Sequence, residues 1–208
     1  MVNFIIILFI ISLIYLAKVE MVKSYFSLMA IQGVLLFGLA FLELKEVNII
    51  QLLFILFETL IFKAIFVPIF LQRITKNKIH RHQHSPVKGY YSVFVALIII
   101  VLSFITSNLM HDQYLEVKYF TAAISSILIG LFIAINNRDL VTHLISYLVI
   151  ENGIFLLSLA LGSEMPMFVN AAILLDIFTS VLIMGLFFNK MGEYFQNTDI
   201  TQLSKLKD

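Results

Sequence analysis

Three carboxylates and a lysine stand where a chain this apolar should carry no charge: Glu58, Lys63, Glu151 and Asp176. Each acid falls near the middle of a long apolar run, as Glu151 does in "DLVTHLISYLVIENGIFLLSLAL". A charged group at the centre of a lipid-embedded helix costs roughly 2.5–3.5 kcal/mol on insertion scales. Such groups therefore turn toward neighbouring helices, internal water or another subunit. Desolvation and a nearby cation act in opposite senses on a carboxyl's hold on its proton. A carboxyl placed between those influences can load and release a proton near neutral pH, which is the physical requirement for a proton relay. The competing use of the same residues is plain adhesion, in which buried polar groups hold helices together by hydrogen bonds.

Spacing refines the candidates. Lys63 follows Glu58 by five residues, an angle of about 140° around a helix. The two are poor same-face partners, so Lys63 is expected to meet a carboxylate on another helix or another subunit. His143, Tyr147 and Glu151 stand at i, i+4 and i+8. That spacing makes a slowly drifting stripe, which would climb from the cytoplasmic side to the midplane like the lining of a half-channel. Ser125, Ser126, Asn152, Asn170, Thr179 and Ser180 add uncharged polarity at similar depth. The ordinary use of such residues is helix packing.

The elements that must carry these groups follow from hydropathy. The chain has 208 residues, 61% hydrophobic and 13% charged, with a mean hydropathy of +0.99. Soluble domains carry about 25% charged residues, so the composition predicts an integral membrane protein. A spanning helix needs about 20 mostly apolar residues. Seven stretches qualify, near 2–17, 24–42, 47–71, 89–107, 119–136, 140–162 and 167–189. They are too long and too evenly apolar for barrel strands. The first lacks the basic start and small-residue cleavage site of a signal peptide, and it reads as a retained helix.

Basic residues set the orientation. Arg73, Lys76, Lys78, Arg81 and Lys88 crowd one loop, which places it in the cytoplasm. Alternation then puts Lys18, Lys23, Arg138, Lys190, Lys205 and Lys207 inside as well, against Lys45 and Lys118 outside. The expected architecture is an all-α membrane protein of about seven spans, N-terminus outside and C-terminus cytoplasmic. A soft boundary near residue 112 divides a four-helix part, 1–112, from a three-helix part, 113–208.

Several chemistries are excluded. With no cysteine, the chain has no disulfide, thiolate zinc site or cysteine-ligated cluster. His80, His82 and His84 lie in the basic loop, but no further ligands converge there, and the loop reads as a solvated headgroup- or partner-facing segment. No glycine-rich phosphate loop and no nucleophile–base pattern occurs. Neither a cofactor, a bound metal, nucleic acid nor a directly bound small-molecule substrate is expected.

Residues 113–208 resemble subunit K of NADH–quinone oxidoreductase, a three-helix proton-channel subunit with midplane acids on its second and third helices. The matching features are the basic turn "NNRD", Glu151, and Asp176 within "NAAILLDIFTSVLIMGL". Over nearly its whole length, including "ENG" at 151–153, the chain resembles hydrogenase-4 component E of group 4 hydrogenase and formate hydrogenlyase complexes. Two features depart from subunit K: Asp176 stands where it usually carries glutamate, and Glu151 lies about one helical turn further from the basic turn. The resemblance implies a non-catalytic membrane-arm subunit in a prokaryotic plasma membrane. Its neighbours would be antiporter-like and quinone-site-like subunits and lipid. Its relay residues would be Glu151 and Asp176, assisted by Glu58, Lys63, His143 and Tyr147. A scaffold role in the same complex, or a place in a multisubunit cation/proton antiporter, are the alternatives.

Overall fold

In lipid every backbone N–H and C=O must find its partner within the chain, so long apolar segments free of internal proline close into helices. The computed structural model describes residues 1–19, 22–43, 65–66, 68–69, 89–110, 116–137, 140–160 and 185. They form five helices: α1 (Val2–Lys18), α2 (Val22–Glu43), α3 (Gly89–Leu109), α4 (Val117–Asn136) and α5 (Leu140–Ala160). Four of them are long and apolar enough to cross a membrane, over Ser24–Leu42, Gly89–Leu109, Val117–Asn136 and Val141–Ala160. The 17 residues of α1 are apolar too, but at 1.5 Å per residue they reach about 25 Å, short of a ~30 Å hydrocarbon core. This is a helical membrane protein. The expected third and seventh spans, near 47–71 and 167–189, lie outside the described residues apart from isolated positions.

Hydroxyls and amides within the helices are largely absorbed by their own backbone. In α3, Ser103, Thr106, Ser107 and Asn108 each donate to the carbonyl four residues back, at 2.8, 2.8, 2.7 and 2.9 Å. Thr121 does the same in α4 at 2.8 Å. Such back-bonding lets a polar residue sit in a membrane helix at little cost, so these side chains need no functional account.

The helices α4 and α5 form an antiparallel hairpin with the most extensive contact in the fold. Their backbones approach so closely that glycine is required at two reciprocal positions. A Cβ at Gly130 would lie 2.6 Å from Ile150 Cγ1 and 3.0 Å from the Ser146 carbonyl oxygen; at Gly153 it would lie 2.8 Å from Ile127 Cγ1 and 2.9 Å from the Ala123 carbonyl oxygen. Close approach at small residues is how helices associate where lipid removes the hydrophobic drive between them. Ser126 Oγ crosses the seam to donate to the Val149 carbonyl at 2.8 Å. At the open end, Glu116 N–H donates to the Ala160 carbonyl at 3.0 Å.

The Ser126 bond supports a modest prediction. Ser126→Ala removes one neutral donor, and the Val149 carbonyl keeps its place in the helix ladder. A loss of about 0.6–1 kcal/mol is expected in reversible unfolding from detergent or bicelles.

Around this hairpin, α1 packs against α2, α3 and α4, and α2 against α5. One core runs through all five helices, from Phe9 and Leu13 through Phe26, Leu36 and Ala96 to Tyr119, Ile129 and Ile145. It continues across the boundary expected near residue 112. At one end, Lys18 closes α1 with its ammonium 6.0 Å from the centroid of Tyr90, at the start of α3. A cation there also suits the negative end of the helix dipole. The outer side of α3 presents Phe94, Val101, Phe104 and Ile105, an apolar surface of the kind a membrane helix turns to lipid.

Candidate midplane polar site

Four helices each place buried polar side chains at mid-length. Ser12 comes from α1, Gln32 from α2, Ser125 and Ser126 from α4, and Glu151 and Asn152 from α5; all are at most 6% exposed. Gln32 sits near the centre of the span Ser24–Leu42, and Glu151 and Asn152 near the centre of Val141–Ala160. These positions lie near the middle of their helices and form a polar layer, with buried aliphatic and aromatic residues on either side of it along the helices.

The layer contains a directed hydrogen-bond chain across three helices. Asn152 Nδ2 donates to Gln32 Oε1 at 3.2 Å. Gln32 Nε2 donates to Ser12 Oγ at 3.0 Å. Ser12 Oγ in turn donates to the Phe9 carbonyl at 2.6 Å. Every donor points the same way, from α5 through α2 to α1. The glutamine is central because a carboxamide is both donor and acceptor, and it bridges an amide on one side and a hydroxyl on the other. Buried polar groups in lipid are tolerated on this condition of mutual satisfaction.

The chain is not itself a proton wire. Carboxamides hold their protons tightly, and the last donor ends on a backbone carbonyl that cannot carry a proton onward. Its chemistry is orientation. The group able to exchange a proton is its neighbour Glu151, 5% exposed and engaged in an interaction of its own. Successive helical residues are about 100° apart, so Glu151 points to a side of α5 different from that of Asn152. Counting from Gly153, which faces α4, the turn to Glu151 is about 160°. The side chain of Glu151 therefore leaves α5 on a side other than those of Gly153 and Asn152.

The expected stripe below Glu151 is unevenly buried. His143 is half-buried, Tyr147 is 37% exposed and Glu151 is buried, and all three are engaged in interactions. The stripe thus runs along the outer flank of α5 before it enters the interior at Glu151. Glu58, Lys63 and Asp176 lie outside the described residues, as do His80, His82 and His84. Among the described residues no cluster of three or more His, Asp or Glu side chains could hold a metal ion. Ser125 Oγ is fully buried and makes no hydrogen bond, so it adds polarity to the layer without belonging to the chain.

Ser12 and Gln32 are the members that a search for intramembrane charge passes over. Gln32 carries none, and its run "SLMAIQGVLLFG" reads as an ordinary apolar span. The available signal was its position, a long amide at the centre of a transmembrane helix.

Comparison with known proteins adds little beyond this geometry. No family model matches, and no solved structure matches. The chain is similar to the uncharacterized protein Rv0085 of Mycobacterium tuberculosis, with 26% identity over 87 residues, 42% of this chain and 40% of that protein. The match thus spans less than half the length of that curated relative.

Proposed function

We propose that this chain is a non-catalytic membrane-arm subunit of an energy-converting respiratory or hydrogenase complex, supplying part of a transmembrane proton path. The observation that carries the reading is Glu151, a carboxyl buried at mid-length of a helix long and apolar enough to cross a membrane. A residue of this kind is functional by default, because an ionisable group in the bilayer interior is expensive to keep. Asp176 would be the second relay carboxylate, with Glu58, Lys63, His143 and Tyr147 assisting. Its partners would be antiporter-like and quinone-site-like subunits, in a multi-pass arrangement in a prokaryotic plasma membrane. Coupling would be electrostatic: a charge change in a neighbouring subunit alters the proton affinity of the carboxyls.

The experiment is to replace Glu151→Gln and Asp176→Asn in the assembled complex and to record proton translocation beside electron transfer. Translocation per assembled complex should fall at least about tenfold in each variant. Unaltered translocation in both, with normal electron transfer, rejects the proposal.

A second reading, a scaffold subunit, draws on the chain from Asn152 to Ser12 and on the glycine seam, both of which serve adhesion. It expects the same substitutions to lower the amount of assembled complex and to leave the surviving complexes fully coupled.

A further inference from the structure

We infer that Gln32 is a positioning residue for Glu151: it locks the rotation of α5 and thereby fixes where the carboxylate points. The argument starts from the two constraints on α5. The first is the seam with α4, where Gly130 and Gly153 bring the backbones together and Ser126 bonds the Val149 carbonyl. That seam sets the distance and the slide of the two helices. Its contacts, Ile150 against Gly130, Ile127 against Gly153 and Ser126 on the Val149 carbonyl, all lie on one side of α5.

The second constraint acts on a different side. Asn152, adjacent to Glu151 in sequence, is held at 3.2 Å by Gln32 of α2, and Gln32 is held at 3.0 Å by Ser12 of α1. Ser12 is anchored to its own backbone at 2.6 Å. The amide of Asn152 is thus tied through two further helices to a fixed point. A roll of α5 by even a fraction of a turn would stretch this chain beyond hydrogen-bond range, in a place with no bulk water to repair it. Since Glu151 is the next residue on the same rigid helix, its direction is set by the same tie.

The span fixes the residue types. Gln32 and Asn152 together supply one long and one short carboxamide across the α2–α5 gap. Shortening either breaks the bridge, whereas exchanging the two lengths preserves the sum. Adhesion alone needs any hydrogen bond between these helices; positioning needs this span. The functional consequence rests on the proposed role of Glu151 as a proton carrier, but the geometric claim does not.

The test uses the full chain in its native membranes and compares Gln32→Asn with the double variant Gln32→Asn/Asn152→Gln. The readout is the infrared carboxyl or carboxylate band of Glu151, assigned by its loss in Glu151→Gln. Gln32→Asn is expected to shift and broaden that band, and the double variant, which rebuilds the α2–α5 bridge while the shortened side chain at position 32 reaches less far toward Ser12, to move it back toward the wild-type position. Proton translocation per assembled complex should follow, falling about tenfold in the single variant, as small misplacements of reacting groups do, and recovering in the double one. Should Gln32→Asn fail to accumulate, Asn152→Gln alone, which lengthens the span, supplies the single-variant comparison. An unmoved Glu151 band in the single variant overturns the inference, and so does an equal displacement in the single and double variants. If the band moves and recovers as stated while Glu151→Gln translocates normally, the positioning stands and the proton-carrier reading falls.

Discussion

Gly153→Leu is expected to undock α4 from α5 and to destabilise the protein by about 3 kcal/mol or more, at the upper end of overpacking losses. The reason lies in what the new side chain would meet. Even a Cβ alone would lie 2.9 Å from the Ala123 carbonyl oxygen and 3.0 Å from the Ile127 nitrogen, as well as 2.8 Å from Ile127 Cγ1. An isoleucine side chain can swing aside, but a helix backbone cannot. The whole of α4 must retreat, and the Ser126–Val149 bond at 2.8 Å is then lost as well. Gly153→Ala should show the same effect at about 1–3 kcal/mol.

Gly38→Ala is the matched control, because its Cβ would meet only Ile5 Cδ1 at an ordinary 3.5 Å. That variant should be unchanged or slightly more stable, since alanine is the better helix former by about 1 kcal/mol. The measurement is reversible unfolding of the purified protein in bicelles. Wild-type stability in Gly153→Leu would contradict the close approach of the hairpin.

The second large effect is expected at Gln32, and its signature is non-additivity. Gln32→Leu removes one residue but strands two others: Asn152 loses its acceptor and Ser12 loses a donor. A buried polar group left unsatisfied costs about 1–3 kcal/mol, so the single variant should lose roughly 2–4 kcal/mol in the same unfolding assay. The triple variant Ser12→Ala/Gln32→Leu/Asn152→Leu removes the whole chain and strands nothing. It should be less destabilised than Gln32→Leu alone, since replacing all partners by apolar groups of similar size is nearly neutral. A triple variant whose loss equals the sum of the three single losses would show that the residues act independently, against the chain described here.

Much of the architecture was legible in advance. The spans expected near 2–17, 24–42, 89–107, 119–136 and 140–162 correspond to helices that begin and end within about two residues of those limits, at Val2–Lys18, Val22–Glu43, Gly89–Leu109, Val117–Asn136 and Leu140–Ala160. The physical reason is the solvent. Lipid demands a closed backbone and an apolar surface over a set length, so hydropathy reports the helices almost directly. The burial of Glu151 followed from the same logic, because a carboxyl at that depth has few acceptable environments.

Packing was far less legible. Gly130 and Gly153 look alike in sequence to Gly38, yet only the first two sit against a facing backbone. Gln32 bears no charge, and a helix that is apolar on all sides gives no hint of which side faces inward. His143 and Tyr147 share a stripe with Glu151, yet Tyr147 turns outward at 37% exposure while Glu151 is enclosed at 5%.

The amino-acid sequence by itself determined that this is a helical membrane protein, where these helices begin and end, and that a carboxyl lies midway along one of them. Those properties depend on the local match between each segment and the bilayer. Only the tertiary structure decided that α4 and α5 meet backbone to backbone at two glycines, and that Asn152, Gln32 and Ser12 join three helices. Such contacts depend on how each helix is rotated about its axis, and in lipid, where both faces of a helix are equally apolar, rotation is settled by the neighbouring helix alone.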